Sequence, residues 1–172
     1  MTPVRRRDLV VLAAGLAVAA WLLVRSWYGE LPSLEWWLPA PLAVLAVAEV
    51  LAARTLRDRL ADQRAARAGR PPRAGDAAAR EVRLVDPLLV ARLAVLAQAS
   101  AYVGAVFAGI WAGVLAHVWP AAVDGVQAAG GDTVTSAIGV GCSLGLVAAA
   151  LWLESVCRVP PDEDGPAAGV SA

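Results

Sequence analysis

The sequence predicts an all-α membrane protein, a four-transmembrane-helix bundle with both termini in the cytoplasm. Of its 172 residues, 59% are hydrophobic and the mean hydropathy is +0.60, whereas a soluble domain is about 45–50% apolar. Four apolar stretches each reach or approach the roughly 20 residues that a helix needs to cross a bilayer. Most of the arginines lie before the first stretch and in the loop between the second and third stretches.

The four predicted spans cover about residues 9–27, 36–53, 93–118 and 134–154. We assign them to one membrane domain, residues 1–159. Helices are expected because backbone groups in hydrocarbon must be hydrogen-bonded within their own segment. We expect residues 119–133 to connect the last two spans and residues 160–172, rich in Pro, Asp, Glu and Gly, to form a disordered cytoplasmic tail.

The charged residues predict the orientation of the spans. Arginines precede the first span and crowd the loop of residues 54–92, so the positive-inside rule places both regions in the cytoplasm. The other two loops carry Glu30, Glu35, Asp124 and Asp132 and face outward. Aromatic residues that favour the headgroup level fall at the proposed outer ends: Trp27, Tyr28, Trp36, Trp37 and Trp119. The arginines that set the orientation are Arg5, Arg6, Arg7, Arg54, Arg57, Arg59, Arg64, Arg67, Arg70, Arg73, Arg80 and Arg83.

A cleaved signal peptide is the alternative interpretation of the N-terminus. Residues 5–7 are three arginines before an apolar run, which resembles the start of such a peptide. No convincing cleavage site follows Val24, and three remaining spans would leave the arginine-rich loop on the unfavoured side. We therefore treat the first stretch as a span.

Small residues predict how the helices pack. Gly109 and Gly113 form a GxxxG pattern in the third span, and Gly141 and Gly145 form another in the fourth. Helices in lipid associate by close backbone approach over small residues. We expect these faces to join the third and fourth helices, with a homodimer seam as the alternative use.

Glu49 is the most informative polar residue, because it lies about 7 Å before Arg54 along the second helix. A carboxylate at mid-bilayer costs roughly 2.5–3.5 kcal/mol, so it should have a partner. We predict a polar cluster near the cytoplasmic end of the helices. Its expected acceptors are Glu49 and Glu154, and its expected donors are Arg92, Gln98 and Arg158. The cluster either fixes helix register or forms a proton or solute site.

No pattern in the sequence predicts catalysis, a cofactor or a metal site. Residues 141–145 match the G-x-S-x-G motif of hydrolases, but Ser143 lies in an apolar helix and no histidine follows it. His117 is the only histidine, and zinc usually takes three or four protein ligands. The arginine loop lacks the aromatic residues that stack on nucleic acids, so we expect no nucleic-acid binding.

The order of several short motifs resembles an actinobacterial family of small membrane proteins known as domain of unknown function 3180. The resemblance covers nearly the whole chain, implies four spans and implies no known activity. Gln98 departs from the pattern, since many relatives are expected to have Lys there. The matching residues are Arg7, Asp8, Leu9, Tyr28, Gly29, Leu31, Pro32, Ala48, Glu49, Asp86, Pro87, Arg92, residues 97–100, residues 150–154, Cys157 and Arg158.

Together these features predict a non-enzymatic protein of the cytoplasmic membrane. Its expected partners are the lipid bilayer and either another membrane protein or a second copy of the chain. The alternative is a small solute or proton-linked transporter that uses the polar cluster.

Overall fold

The computed structural model describes residues 6–27, 35–67 and 87–157. In these residues the chain forms four α-helices and no β-strand. They are α1 (Arg6–Trp27), α2 (Ala40–Arg67), α3 (Pro87–Val123) and α4 (Gln127–Cys157). The predicted all-helical class is therefore confirmed for the described part of the chain. The tail of residues 160–172 and residues 68–86 of the arginine loop lie outside it.

Three of these helices are long and apolar enough to cross a membrane. They are Arg6–Trp27, Leu88–Val123 and Ala129–Cys157. The second predicted span is not among them, because α2 has only residues 40–53 before its first arginine and carries Glu49 within that segment. The structure thus supports three apolar spans by length and composition.

The last two helices extend beyond the predicted spans 93–118 and 134–154, and the connection between them is shorter. α3 has 37 residues, about 55 Å at 1.5 Å per residue, which exceeds a hydrocarbon core of about 30 Å. The connection comprises only residues 124–126. Gly125 has a φ of +85°, and the Val126 amide donates to the Ala121 carbonyl at 3.1 Å. This is the Schellman arrangement, in which glycine ends a helix in the left-handed region.

The described helices pack around one central pair. α3 and α4 make the most extensive pair, α1 packs on α3, and α2 packs on α4. In a closed bundle every helix has two extensive neighbours, whereas in the described residues α1 and α2 have one each. The described helices are thus arranged as a central α3–α4 pair that carries α1 mainly on α3 and α2 mainly on α4.

Two clusters of buried side chains define one end of this assembly. Leu9 of α1 packs with Ala101 and Ala105 of α3 and Ala150 of α4. Ala53 and Leu56 of α2 pack with Ala97 of α3 and Leu153 of α4. The start of α1, the middle of α2, the first half of α3 and the last turns of α4 therefore lie together. We call this the arginine end, since it also holds Arg6, Arg7, Arg54, Arg57, Arg59 and Arg92.

Large apolar side chains remain exposed on the outside of the helices. On α1, Val11 is 71% exposed and Leu23 is 61% exposed, and only Leu9 and Val24 are buried. A soluble monomer rarely exposes apolar patches that extend along whole helices. Lipid chains are a suitable solvent for such surfaces, so this pattern agrees with a location in a membrane.

Candidate functional site

Glu49 lies at a junction of α2, α3 and α4. Its side chain is 2% exposed. One helical turn later on α2, Ala53 packs with Ala97 of α3 and Leu153 of α4. Because residues four apart share a helix face, Glu49 points into the same junction. The small side chains of Ala53 and Ala97 allow the helices to approach closely here.

The carboxyl group of Glu49 has no hydrogen-bond partner among the described residues. Both of its oxygens are buried and unsatisfied. The buried hydroxyl of Ser100 faces it from α3, but the contact lacks hydrogen-bond geometry. An unsatisfied buried polar group is rare in proteins and calls for an explanation.

The predicted donors do not reach Glu49. Arg92 is exposed, and half-buried Gln98 lies one turn before Ala101, on the face of α3 that packs on Leu9 of α1. Glu154 is buried, at 6% exposure, close to the end of α4. Arg158 lies outside the described residues. The structure therefore places the acceptors Glu49 and Glu154 in the interior without bringing the described donors to Glu49.

Gly109 and Gly113 pack α3 against α1. A Cβ on Gly109 would lie 3.0 Å from the Cβ of Leu16 and would clash with the Ala13 carbonyl; a Cβ on Gly113 would lie 2.8 Å from the Cβ of Ala20. Both glycines thus serve helix packing, but their partner is α1 and not the expected α4.

Gly141 and Gly145 face away from the rest of the described chain. Both are exposed, and a Cβ on either would meet nothing within 4 Å. The prediction that they pack α4 on α3 differs from the structure. α4 uses its opposite side for that contact, where Val147 and the Ser143 carbonyl lie against Gly104 of α3. The GxxxG pattern of α4 is left without a neighbour among the described residues.

The centre of the α3–α4 interface contains polar groups that sequence reasoning missed. The Ser143 hydroxyl donates to the Gly139 carbonyl at 2.7 Å, so it is committed to its own helix. The Trp111 indole nitrogen and the Ser136 hydroxyl are buried and have no partner among the described residues. Helical spacing places Ser136 and Ser143 on one face of α4 with Gly139, a signal that was available in the sequence, and Trp111 lies against this face from α3.

In a comparison with known families, the chain matches a family described as "Protein of unknown function (DUF3180)" over residues 9–161. The chain belongs to this family. No curated protein and no solved structure matches the chain.

The DUF3180 match confirms the resemblance seen in the short motifs. It begins three residues into α1 and extends past the end of α4. All three interfaces, Glu49 and both GxxxG patterns therefore fall within the family region. The family description assigns no activity to any of them.

Proposed function

We propose that this DUF3180 protein is a non-enzymatic interaction protein of the cytoplasmic membrane, with four spans and both termini inside. It acts by helix association through the outer face of α4. The observation that carries this proposal is the open space over Gly141 and Gly145. At Gly104, Gly109 and Gly113, by contrast, a neighbouring helix occupies the space that a side chain would need.

The packing of α2 supports its inclusion as the fourth span. Its apolar segment, residues 40–53, lies against α4, and Glu49 and Ala53 are buried there. Trp36 and Trp37 precede it and are exposed, as expected for aromatic residues at a membrane interface. A segment shorter than the bilayer is tolerated by local thinning of the lipid.

The positive-inside rule supports the orientation. The arginine end of the assembly contains both the start of α1 and the end of α4, so the described chain begins and ends on one side. Arginine in short connections favours the cytoplasmic side. Arg25, at the opposite end, lies over the Trp21 ring, 5.4 Å from its centroid.

The occupant that fits the α4 face is a second copy of the chain. All copies insert with the same orientation, so their α4 helices cross the bilayer in parallel. A parallel two-fold crossing is the geometry that a GxxxG pattern supports, and a two-fold interface needs only one self-complementary patch.

Cysteine crosslinking in native membranes tests the proposal. In a background with Cys142→Ala and Cys157→Ala, Ala148→Cys places a thiol one turn beyond Gly145 on the exposed face. We expect an oxidative dimer, and we expect Gly141→Leu to abolish it. The matched control is Gly15→Leu, which is equally exposed and open and should leave the dimer intact.

Two outcomes would contradict the association through α4. One is the absence of any crosslink at residue 148. The other is an equally strong crosslink from Val18→Cys on the exposed face of α1, which would show random collision. If Ala148→Cys crosslinks only to a different protein, the partner on the α4 face is another membrane protein and not a second copy of the chain.

A small proton-linked or solute transporter is the second candidate function, and the buried Glu49 favours it. Saturable solute flux in proteoliposomes that Glu49→Ala abolishes would support the transporter. Flux equal to that of empty vesicles would leave association as the function.

A further inference from the structure

The surroundings of the Glu49 carboxyl determine whether its ionised or its protonated form is the more stable. Both oxygens are buried without a hydrogen-bond partner, and the residues packed one turn away are the apolar Ala53, Ala97 and Leu153. An ionised carboxylate without a partner loses its hydration and receives no compensation. A neutral carboxylic acid avoids most of that loss, and its O–H gives it a donor as well as an acceptor.

We propose that Glu49 is a proton-binding site inside the membrane, occupied at neutral pH, with the Ser100 hydroxyl as its neighbour on α3. The ligand is a proton, which binds one carboxylate oxygen. A small rotation of either side chain then allows the acid to donate to the Ser100 oxygen or to accept from it. The proposal concerns the chemistry of one carboxyl group and holds whether the protein associates or transports.

Within the part of the chain that the structure describes, the charged and titratable groups around Glu49 offer no substitute for the proton. On α4, which packs against α2, the titratable residues are Asp132, Cys142, Glu154 and Cys157, and none is a cation at neutral pH. On α3 the nearest basic residue towards the arginine end is Arg92, which is exposed. On α2 itself Arg54 is exposed as well. Since the carboxyl has no partner, neither arginine neutralises it.

The position of Glu49 also provides a route for proton exchange. It lies five residues before Arg54, about 7 Å along the helix axis. Arg54 and Thr55 are exposed, so water at the arginine end approaches to within about one and a half helical turns. The site is expected to exchange protons with that side of the membrane.

Infrared spectroscopy of the full-length protein in proteoliposomes tests the proposal. We expect wild type at neutral pH to show the carbonyl stretch of a protonated carboxyl in an apolar site. Glu49→Gln should remove this band. The matched control is Glu154→Gln, which changes the other buried carboxyl of the described residues and should retain it. Persistence of the band in Glu49→Gln, or its absence from wild type, would overturn the proposal.

A second measurement uses wild type alone and so remains valid if Glu49→Gln does not fold. Dicyclohexylcarbodiimide partitions into lipid and adds to protonated carboxyl groups. The acid proton moves to a carbodiimide nitrogen, the carboxyl oxygen bonds to the central carbon, and rearrangement gives a stable N-acylurea without another reactant. We expect one adduct per chain, mapped to Glu49 by peptide mass spectrometry, with a yield that falls as the pH rises. Adducts elsewhere with Glu49 unmodified, or a yield independent of pH, would overturn the proposal.

Discussion

The indole ring of Trp111 on α3 lies directly on the backbone of Gly139 on α4. A Cβ at residue 139 would lie 2.6 Å from two of the ring carbons, closer than real side-chain contacts allow. The Gly139 carbonyl also accepts the Ser143 hydroxyl at 2.7 Å. Residue 139 is therefore held from two sides, by the facing helix and by its own.

Gly139→Ala is expected to destabilise the protein by about 1–3 kcal/mol, because the added methyl group must displace the Trp111 ring from a packed interface. Unfolding in mixed micelles with increasing dodecyl sulfate measures this change. The matched control is Gly15→Ala, where a Cβ meets nothing and which lies outside the proposed α4 association face. That variant should be neutral or more stable by up to about 1 kcal/mol, since alanine is the better helix former. Equal effects of the two variants would contradict the assigned contact.

Gly113→Leu is expected to separate α1 from α3. The Ala17 carbonyl and the Ala20 Cβ occupy the space that a side chain at residue 113 requires, so a leucine forces the helices apart. We expect a loss of at least 1–3 kcal/mol in the same assay, as is typical of overpacking. Gly15→Leu makes the same chemical change at an open position of α1 and should stay within about 0.5 kcal/mol of wild type. A stable Gly113→Leu protein would show that α1 does not dock there.

The sequence predicted which residues form helices better than it predicted which helices meet. Apolar length and composition mark a helix in lipid because the constraint is local. A GxxxG pattern only marks a place for close approach, and any helix with a stripe of small residues can fill it. α1 supplies such a stripe in Ala13, Ala17 and Ala20, and hydropathy alone gave no reason to prefer α4.

The site was predicted in part for a similar reason. Glu49 stood out because a carboxylate within an apolar run is costly, and it is buried as expected. Its neighbour Ser100 lies one turn from Ala97, a position that sequence alone does not relate to α2. Arg92 was expected to turn inward. A guanidinium near a helix end can instead extend to water, which costs less free energy than burial in the core. The structure leaves it exposed.

Impermeant maleimide labelling of intact cells is expected to establish the number of spans. In a background with Cys142→Ala and Cys157→Ala, Arg59→Cys should stay unlabelled, because its position faces the cytoplasm in the four-span orientation. Glu35→Cys and Asp124→Cys should be labelled. If α2 did not cross the bilayer, residues 35 and 59 would lie on one side and react alike. Labelling in permeabilised cells, where all three thiols should react, controls for access.

Gly125→Ala is expected to destabilise the turn between α3 and α4 by about 1 kcal/mol. The residue has a φ of +85°, a region in which an L side chain meets the following carbonyl oxygen at a cost of roughly 1–2 kcal/mol. Gly125→Asn should lose less, since asparagine tolerates this conformation better. Gly130→Ala is the matched control: it lies within α4 with no positive φ and nothing near its Cβ. It should be neutral or slightly stabilising in the same unfolding assay. A ranking in which Gly130→Ala loses more than Gly125→Ala would mean that the two helices are not joined by the Schellman turn of Asp124, Gly125 and Val126.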